Sequence, residues 1–163
     1  MRYEGYGPGD SAVVVDVRAD DPERMRAELR RTFASYGGRL GAAGSVGYLF
    51  KEVGLLEYSC GADCQALAQW AWGAGAEEVT VDARGSAQVL TDPLELVAVR
   101  ASLAAAGYQP AKSGVTCRSA ATVKLAGAAA TQMQRLFRAL ESLEGIEAIY
   151  TNAEVAGEVV ASV

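Results

Sequence analysis

The sequence predicts an α+β protein of two small α/β sandwich domains, the second inserted into the first. Three observations carry this. Apolar residues alternate in some short runs and recur at helical spacing in others. These runs follow the order β-α-β, then β-α-β-β-α-β, then β-α-β. Acidity is concentrated in the middle block. Residues 1–52 hold eight basic and eight acidic side chains, residues 53–112 three and seven, and residues 113–163 four and five.

Ser11 to Arg18 alternates, with Val13, Val15 and Val17 on one face and Val14 and Asp16 on the other, which is a strand pattern. Asp21 is placed to cap a following helix, and Pro22 suits its first turn, where a missing N–H costs nothing. Met25, Leu29, Thr32, Phe33 and Tyr36 form one stripe of that helix, and Gly37 ends it. A glycine-rich loop then leads into a strand from about Ser45 to Lys51. In the middle block, Leu55 to Tyr58 reads as a short strand and residues 63–74 as an alanine-rich helix closed by Gly75. Trp70 and Trp72 fall on different faces of this helix, which leaves one of them exposed. Glu78 to Val81 and Ala87 to Thr91 form a hairpin turned at 82–85. Asp92-Pro93 starts a helix ending at Gly107, and a strand near Ala111 to Cys117 follows. In the last block Ala120 to Leu125 is extended. Met133, Leu136, Phe137, Leu140 and Leu143 mark a helix stopped by Gly145, and Ile146 to Tyr150 is a strand. Residues 153–163 read as a weakly patterned tail.

The middle block, 53–112, is a complete split-βαβ unit of ferredoxin-like type. The outer pieces, 1–52 and 113–163, make a second such domain only by pairing with each other. The prediction is therefore two ferredoxin-like α/β sandwich domains, one discontinuous. A single continuous mixed sheet also satisfies the connection rules.

Composition narrows the chemistry. The 163 residues carry a net charge of −5 and no histidine. A strongly basic whole-chain footprint for nucleic acid is missing. Cys60 and Cys64 are spaced C-x-x-x-C, which does not match a usual zinc knuckle, and no histidine completes a site with them or Cys117. Three reduced thiols in a cytoplasmic protein are the expectation. No apolar run approaches the ~20 residues that span a membrane. Adjacent acids such as Glu77 and Glu78 point to opposite faces of a strand, and Ser45 has no evident base. No catalytic, metal or cofactor constellation emerges.

Glycine is where the sequence is unusual. Residues 6–10 read Y-G-P-G-D and residues 37–50 read G-G-R-L-G-A-A-G-S-V-G-Y-L-F. A glycine loop that cradles phosphate runs from a strand into a helix, so that free N–H groups point at the anion. Here the loop runs from a helix into a strand, which argues against nucleotide binding. Arg24, Arg26, Arg30 and Arg31 lie off the apolar stripe of the first helix, with Arg39 in the loop. Arginine forks there suit phosphate oxygens. Glu23 and Glu28 dilute them, and Arg24–Glu28 is also an ordinary i,i+4 pair. Tyr3, Tyr6 and Tyr48 offer rings for base stacking.

These residues resemble the YebC/PmpR family, which includes the mitochondrial translational activator of cytochrome oxidase. The resemblance rests on residues 2–9 (R-Y-E-G-Y-G-P-G), on Gly37-Gly38, Leu40-Gly41, Gly44-Ser45-Val46 and Tyr48-Leu49-Phe50, on residues 74–77, and on Tyr150 with Asn152. It implies two α/β domains, the second inserted into the first, and a non-enzymatic regulator. Family members are described as DNA-binding transcriptional regulators and as ribosome-associated translation factors. The expected partner is the ribosome or its RNA, with DNA as an alternative. The expected docking residues are Tyr3, Tyr6, Gly7, Pro8, Gly9, Arg39, Gly41, Gly44, Ser45 and Tyr48. A protein-interaction module, or an antagonist of a full-length relative, is a further alternative that the acidic middle block suits. The sequence departs from the family in three ways. It begins at the strand that follows the family's basic helical domain, Asp10 replaces a glycine, and Arg39 replaces a common asparagine.

Overall fold

The computed structural model describes residues 1–119, 121–155 and 158–160. They divide into two compact units, Met1–Lys51 with Arg118–Val163, and Glu52–Cys117. In the first unit β1 (Arg2–Tyr6) and β2 (Ala12–Val17) form an antiparallel hairpin joined by a 3-10 turn, Pro8–Asp10. Helix α1 (Pro22–Ser35) starts where the Asp21 carboxylate accepts the Arg24 N–H at 3.2 Å. It buries Met25, Leu29 and Phe33 and ends before Gly37, whose φ of 78° needs no Cβ to accommodate. The two-residue strand β3 (Arg39–Leu40) then pairs with the outer edge of β1.

The second unit starts with β4 (Phe50–Ser59) and α2 (Cys64–Ala74), which buries Cys64, Leu67 and Ala71. The hairpin strands β5 (Glu78–Val81) and β6 (Ser86–Thr91) follow, then α3 (Leu96–Ala105) and β7 (Lys112–Ser119). The sheet order is β5-β6-β4-β7, and β6 pairs antiparallel with both β4 and β5. Leu56, Leu67, Val89, Val99 and Leu103 are the fully buried centre of this unit.

The chain returns to the first unit with β8 (Val123–Leu125), α4 (Gly127–Glu141), β9 (Ile146–Thr151), β10 (Ala153–Val155) and β11 (Glu158–Val159). One sheet has the order β3-β1-β2-β9, and a second the order β11-β10-β8. Strand β2 is the hub. Val13, Val15 and Val17 face the main core with Leu29, Phe33, Met133, Leu136 and Leu140. Ala12 and Val14 face the opposite side, where Val46 of the glycine loop covers them. Asn152 ties the strands together. Its Oδ1 accepts the Ala12 N–H at 2.7 Å, and its backbone carbonyl accepts the Val123 N–H at 2.8 Å.

Several local expectations change. Strand β1 has no apolar alternation; its buried positions are Glu4 and Gly5. The strand expected at Ser45 to Lys51 is a 3-10 turn, Gly47–Leu49, followed by β4, because Glu4 draws the loop's N–H groups inward. Leu55 to Tyr58 is the middle of the ten-residue β4 rather than a separate strand. Gly54 does not interrupt it: a Cβ there would meet Leu96 Cβ at 3.0 Å, so α3 packs directly on the strand's backbone. Ala120, expected to open an extended run, lies outside the described residues, and the strand there is Val123–Leu125. The tail supplies β10 and β11; residues 156–157 and 161–163 of it lie outside the described residues. Trp70 and Trp72 are both more than half exposed, because the stripe of α2 that meets the core is Cys64, Leu67 and Ala71 and the two tryptophans flank it on either side.

The thiol expectation is overturned. Cys60 and Cys64 form a disulfide, with their Cα atoms 5.0 Å apart. The 3-10 turn Gly61–Asp63 folds the chain back between them, within the usual bridging distance. Cys117 stands outside the bridge. No helix among the described residues is long and apolar enough to cross a membrane.

Candidate functional site

The glycine loop is built around an internal anion. Glu4 is 7% exposed, and its carboxylate accepts the backbone N–H groups of Gly44, Val46 (3.2 Å) and Gly47. Its backbone carbonyl takes a fourth, from Gly41, at 2.9 Å. Burial alone would raise the Glu4 pKa. The N–H groups of Gly44, Gly47 and Val46 and the positive charge of Arg2 outweigh it and leave the group below the ordinary glutamate range. A concave set of backbone N–H groups of this kind elsewhere binds phosphate. Here the chain fills it with its own carboxylate, so the nest is structural.

Close approach explains several of the glycines. A Cβ at Gly38 would collide with the Tyr6 carbonyl oxygen, and one at Gly47 with the Glu4 carboxylate. A Cβ at Gly41 would come within 2.7 Å of Ser45 Oγ. Gly44 is different: it has φ of 85° and open space around it.

The expected docking residues separate into two sets. Gly7 and Pro8 are buried, and a Cβ at Gly7 would meet Met133 Sδ at 2.9 Å. They shape the hairpin turn and present no surface. Ser45 is half-buried, its Oγ without a hydrogen-bond partner among the described residues. Tyr3 is half-buried and its hydroxyl donates to the Pro22 carbonyl at 3.1 Å. The second set faces outward. The exposed Arg39 guanidinium lies over the Tyr6 ring, 4.7 Å from its centroid, a cation–π contact. Tyr48 is 78% exposed at the far end of the loop, and Gly9 and Gly44 are exposed as well.

A family profile described as TACO1/YebC second and third domain matches residues 1–153. The chain belongs to the TACO1/YebC family. It is 41% identical over 155 residues to a "Probable transcriptional regulatory protein" of Acidovorax sp. (strain JS42), covering 95% of this chain and 65% of that protein. It is 40% identical over 158 residues to one so named from Halorhodospira halophila, covering 97% and 64%. The chain thus spans a little under two thirds of the length of these relatives. The crystal structure of the conserved hypothetical protein Aq1575 from Aquifex aeolicus superposes with a TM-score of 0.83 at 31% identity, over 99% of this chain and 67% of that one.

Glu4 is the site residue that sequence reasoning passed over. The available signal was an excess of loop N–H groups with no acceptor assigned to them. Asp10 adopts φ of 59°, the left-handed region that glycine enters most easily.

Proposed function

We propose that this chain is the body of a non-enzymatic regulator of gene expression that docks on structured RNA, the ribosome first, in the cytoplasm. The observation that carries the reading is the Arg39–Tyr6 stack. The Tyr6 ring holds the guanidinium extended at the surface, where its second face is available to a base and its N–H edge to a phosphate. Tyr48 adds an exposed ring on the same loop. The loop that carries both is pinned by Glu4, so little ordering is needed on binding. The second unit is proposed to be an inserted ferredoxin-like domain, as its βαββαβ element order and β5-β6-β4-β7 sheet support.

Co-sedimentation with ribosomes and filter binding of ribosomal RNA fragments at 50 mM salt test this. Arg39→Glu is expected to weaken binding about tenfold, the share of one lost cationic contact at that salt. Unchanged retention of RNA by the variant, or none by the wild type, would sink the idea. A DNA-binding transcriptional role is the second reading, favoured by the names the relatives carry. Sequence-selective retardation of promoter DNA without retention of RNA would favour it.

A further inference from the structure

A second cationic feature stands apart from the Arg39–Tyr6 stack. Arg26 and Arg30, one turn apart on α1, line a surface cleft of about 440 Å³ with Tyr3 and the loop residues Gly41, Ala42 and Ala43. The other charged groups at this cleft are engaged. Arg2 makes a two-pronged pair with Asp16, Nε to Oδ1 at 2.7 Å and a terminal nitrogen to Oδ2 at 3.0 Å. The Glu4 carboxylate is turned into the loop amides. Arg24, on the neighbouring face, is paired with Glu28 at 3.4 Å. Among the described residues Arg26 and Arg30 enter no ion pair.

Like charges at i,i+4 repel, so this pair weakens its own helix unless an anion lies between them. The two guanidiniums present planar N–H forks, which pair bidentately with phosphate as with carboxylate oxygens, and a phosphate carries enough oxygens to meet both forks at once. The cleft walls are held in place: the Tyr3 hydroxyl bonds the Pro22 carbonyl at the start of α1, and the Gly41 N–H bonds the Glu4 carbonyl. The volume falls in the range of sites for a small ligand or a short piece of a larger one.

We propose that this cleft is a phosphate site gripped by Arg26 and Arg30, and that the phosphate it takes is a backbone phosphodiester of RNA. The choice of RNA rests on the docking reading above; the phosphate chemistry does not. Arg39 and the Arg26–Arg30 pair then make two separate contacts with one nucleic acid.

The experiment has two arms. In the first, anisotropy of a fluorescein-labelled RNA hairpin is followed from 50 to 200 mM KCl for wild type, Arg26→Gln/Arg30→Gln and Arg39→Glu, with circular dichroism confirming the fold. The double variant is expected to lower the slope of log K against log salt by about 0.7 to 0.9, the share of one lost phosphate contact. In the second, inorganic pyrophosphate is titrated into ¹⁵N-labelled protein. Shifts at the Ala42 and Ala43 amides are expected in the wild type and not in the double variant. RNA binding with an unchanged slope and no pyrophosphate shifts overturns the site and leaves the RNA reading standing. Pyrophosphate shifts without RNA binding, or with an unchanged slope, keep the phosphate chemistry and overturn its assignment to RNA, a free phosphorylated molecule then being the source. Neither signal overturns both.

Discussion

The carboxylate of Glu4, on the first strand, holds the backbone N–H of Gly47, 43 residues further along the chain. With Gly44 and Val46 sharing the same carboxylate, this contact folds the loop onto the second face of the sheet and seats Val46 on Ala12 and Val14.

Glu4→Gln is expected to destabilise the protein by about 1–3 kcal/mol at pH 7, the scale of hydrogen bonds to a buried charged acceptor. The pH dependence follows from its lowered pKa. Between the folded pKa and the unfolded value of about 4.3 the unfolded chain binds more protons. The Glu4 contribution is therefore fully present above the ordinary glutamate range and is lost as pH falls through it toward the folded value. Urea unfolding at pH 7 and at pH 4 should show the gap between wild type and Glu4→Gln narrowing at the lower pH.

Gly38 and Gly44 should respond differently to the same substitutions. An added Cβ at Gly38 meets backbone, the Tyr6 carbonyl and Gly7 Cα at 3.3 Å, so Gly38→Ala is expected to cost about 1–3 kcal/mol. Gly44 has room but a left-handed backbone, so Gly44→Ala should cost about 1–2 kcal/mol. Asparagine tolerates that conformation, so Gly44→Asn should recover part of the loss while Gly38→Asn recovers none. Thermal melts of the four variants check this.

Asp10→Gly is expected to stabilise the hairpin turn by about 1 kcal/mol, because it removes a side chain from a φ of 59°. An unchanged or lowered melting temperature would count against this reading of the turn.

Tyr58 is 3% exposed, and its hydroxyl has no hydrogen-bond partner among the described residues. Burial raises its pKa, and the positive charge of Arg100 offsets part of that. Tyr58→Phe removes a buried polar group that lacks a bond and keeps the ring, so a gain of about 1 kcal/mol is expected. Denaturant midpoints give the answer.

Breaking the Cys60–Cys64 bridge is expected to cost about 2 kcal/mol, the loop-closure value for so short a ring. Dithiothreitol should lower the melting temperature of wild type but leave Cys60→Ser, already lacking the bridge, unmoved. Alkylation of the denatured, unreduced protein should label one cysteine per chain.

Much of the fold was legible from local pattern. The stripe of α1, the caps at Asp21 and Asp92, the stop at Gly145 and the 78–91 hairpin depend on residues within a few positions of one another. Their chemistry acts over the same short range. At the candidate surface, Arg39, Tyr48 and the glycines could be picked out because their residue types are conspicuous. Residue type alone did not reveal which of them face outward.

By itself, then, the sequence determined the helices α1 to α4, the 78–91 hairpin, the acidic middle block and the family. Tertiary structure alone decided what depends on distant partners. Strand β1 is a strand because β2 and β3 bond its two edges, not because its side chains alternate. The glycine loop holds no external phosphate in its nest because a carboxylate some forty residues away already occupies it. Tyr6 is tied up by Arg39, and among the described residues Arg26 and Arg30 are left without acidic partners. A local pattern records which conformations a segment prefers. Which donor meets which acceptor across the fold is set only when the strands pair and the loop closes over them.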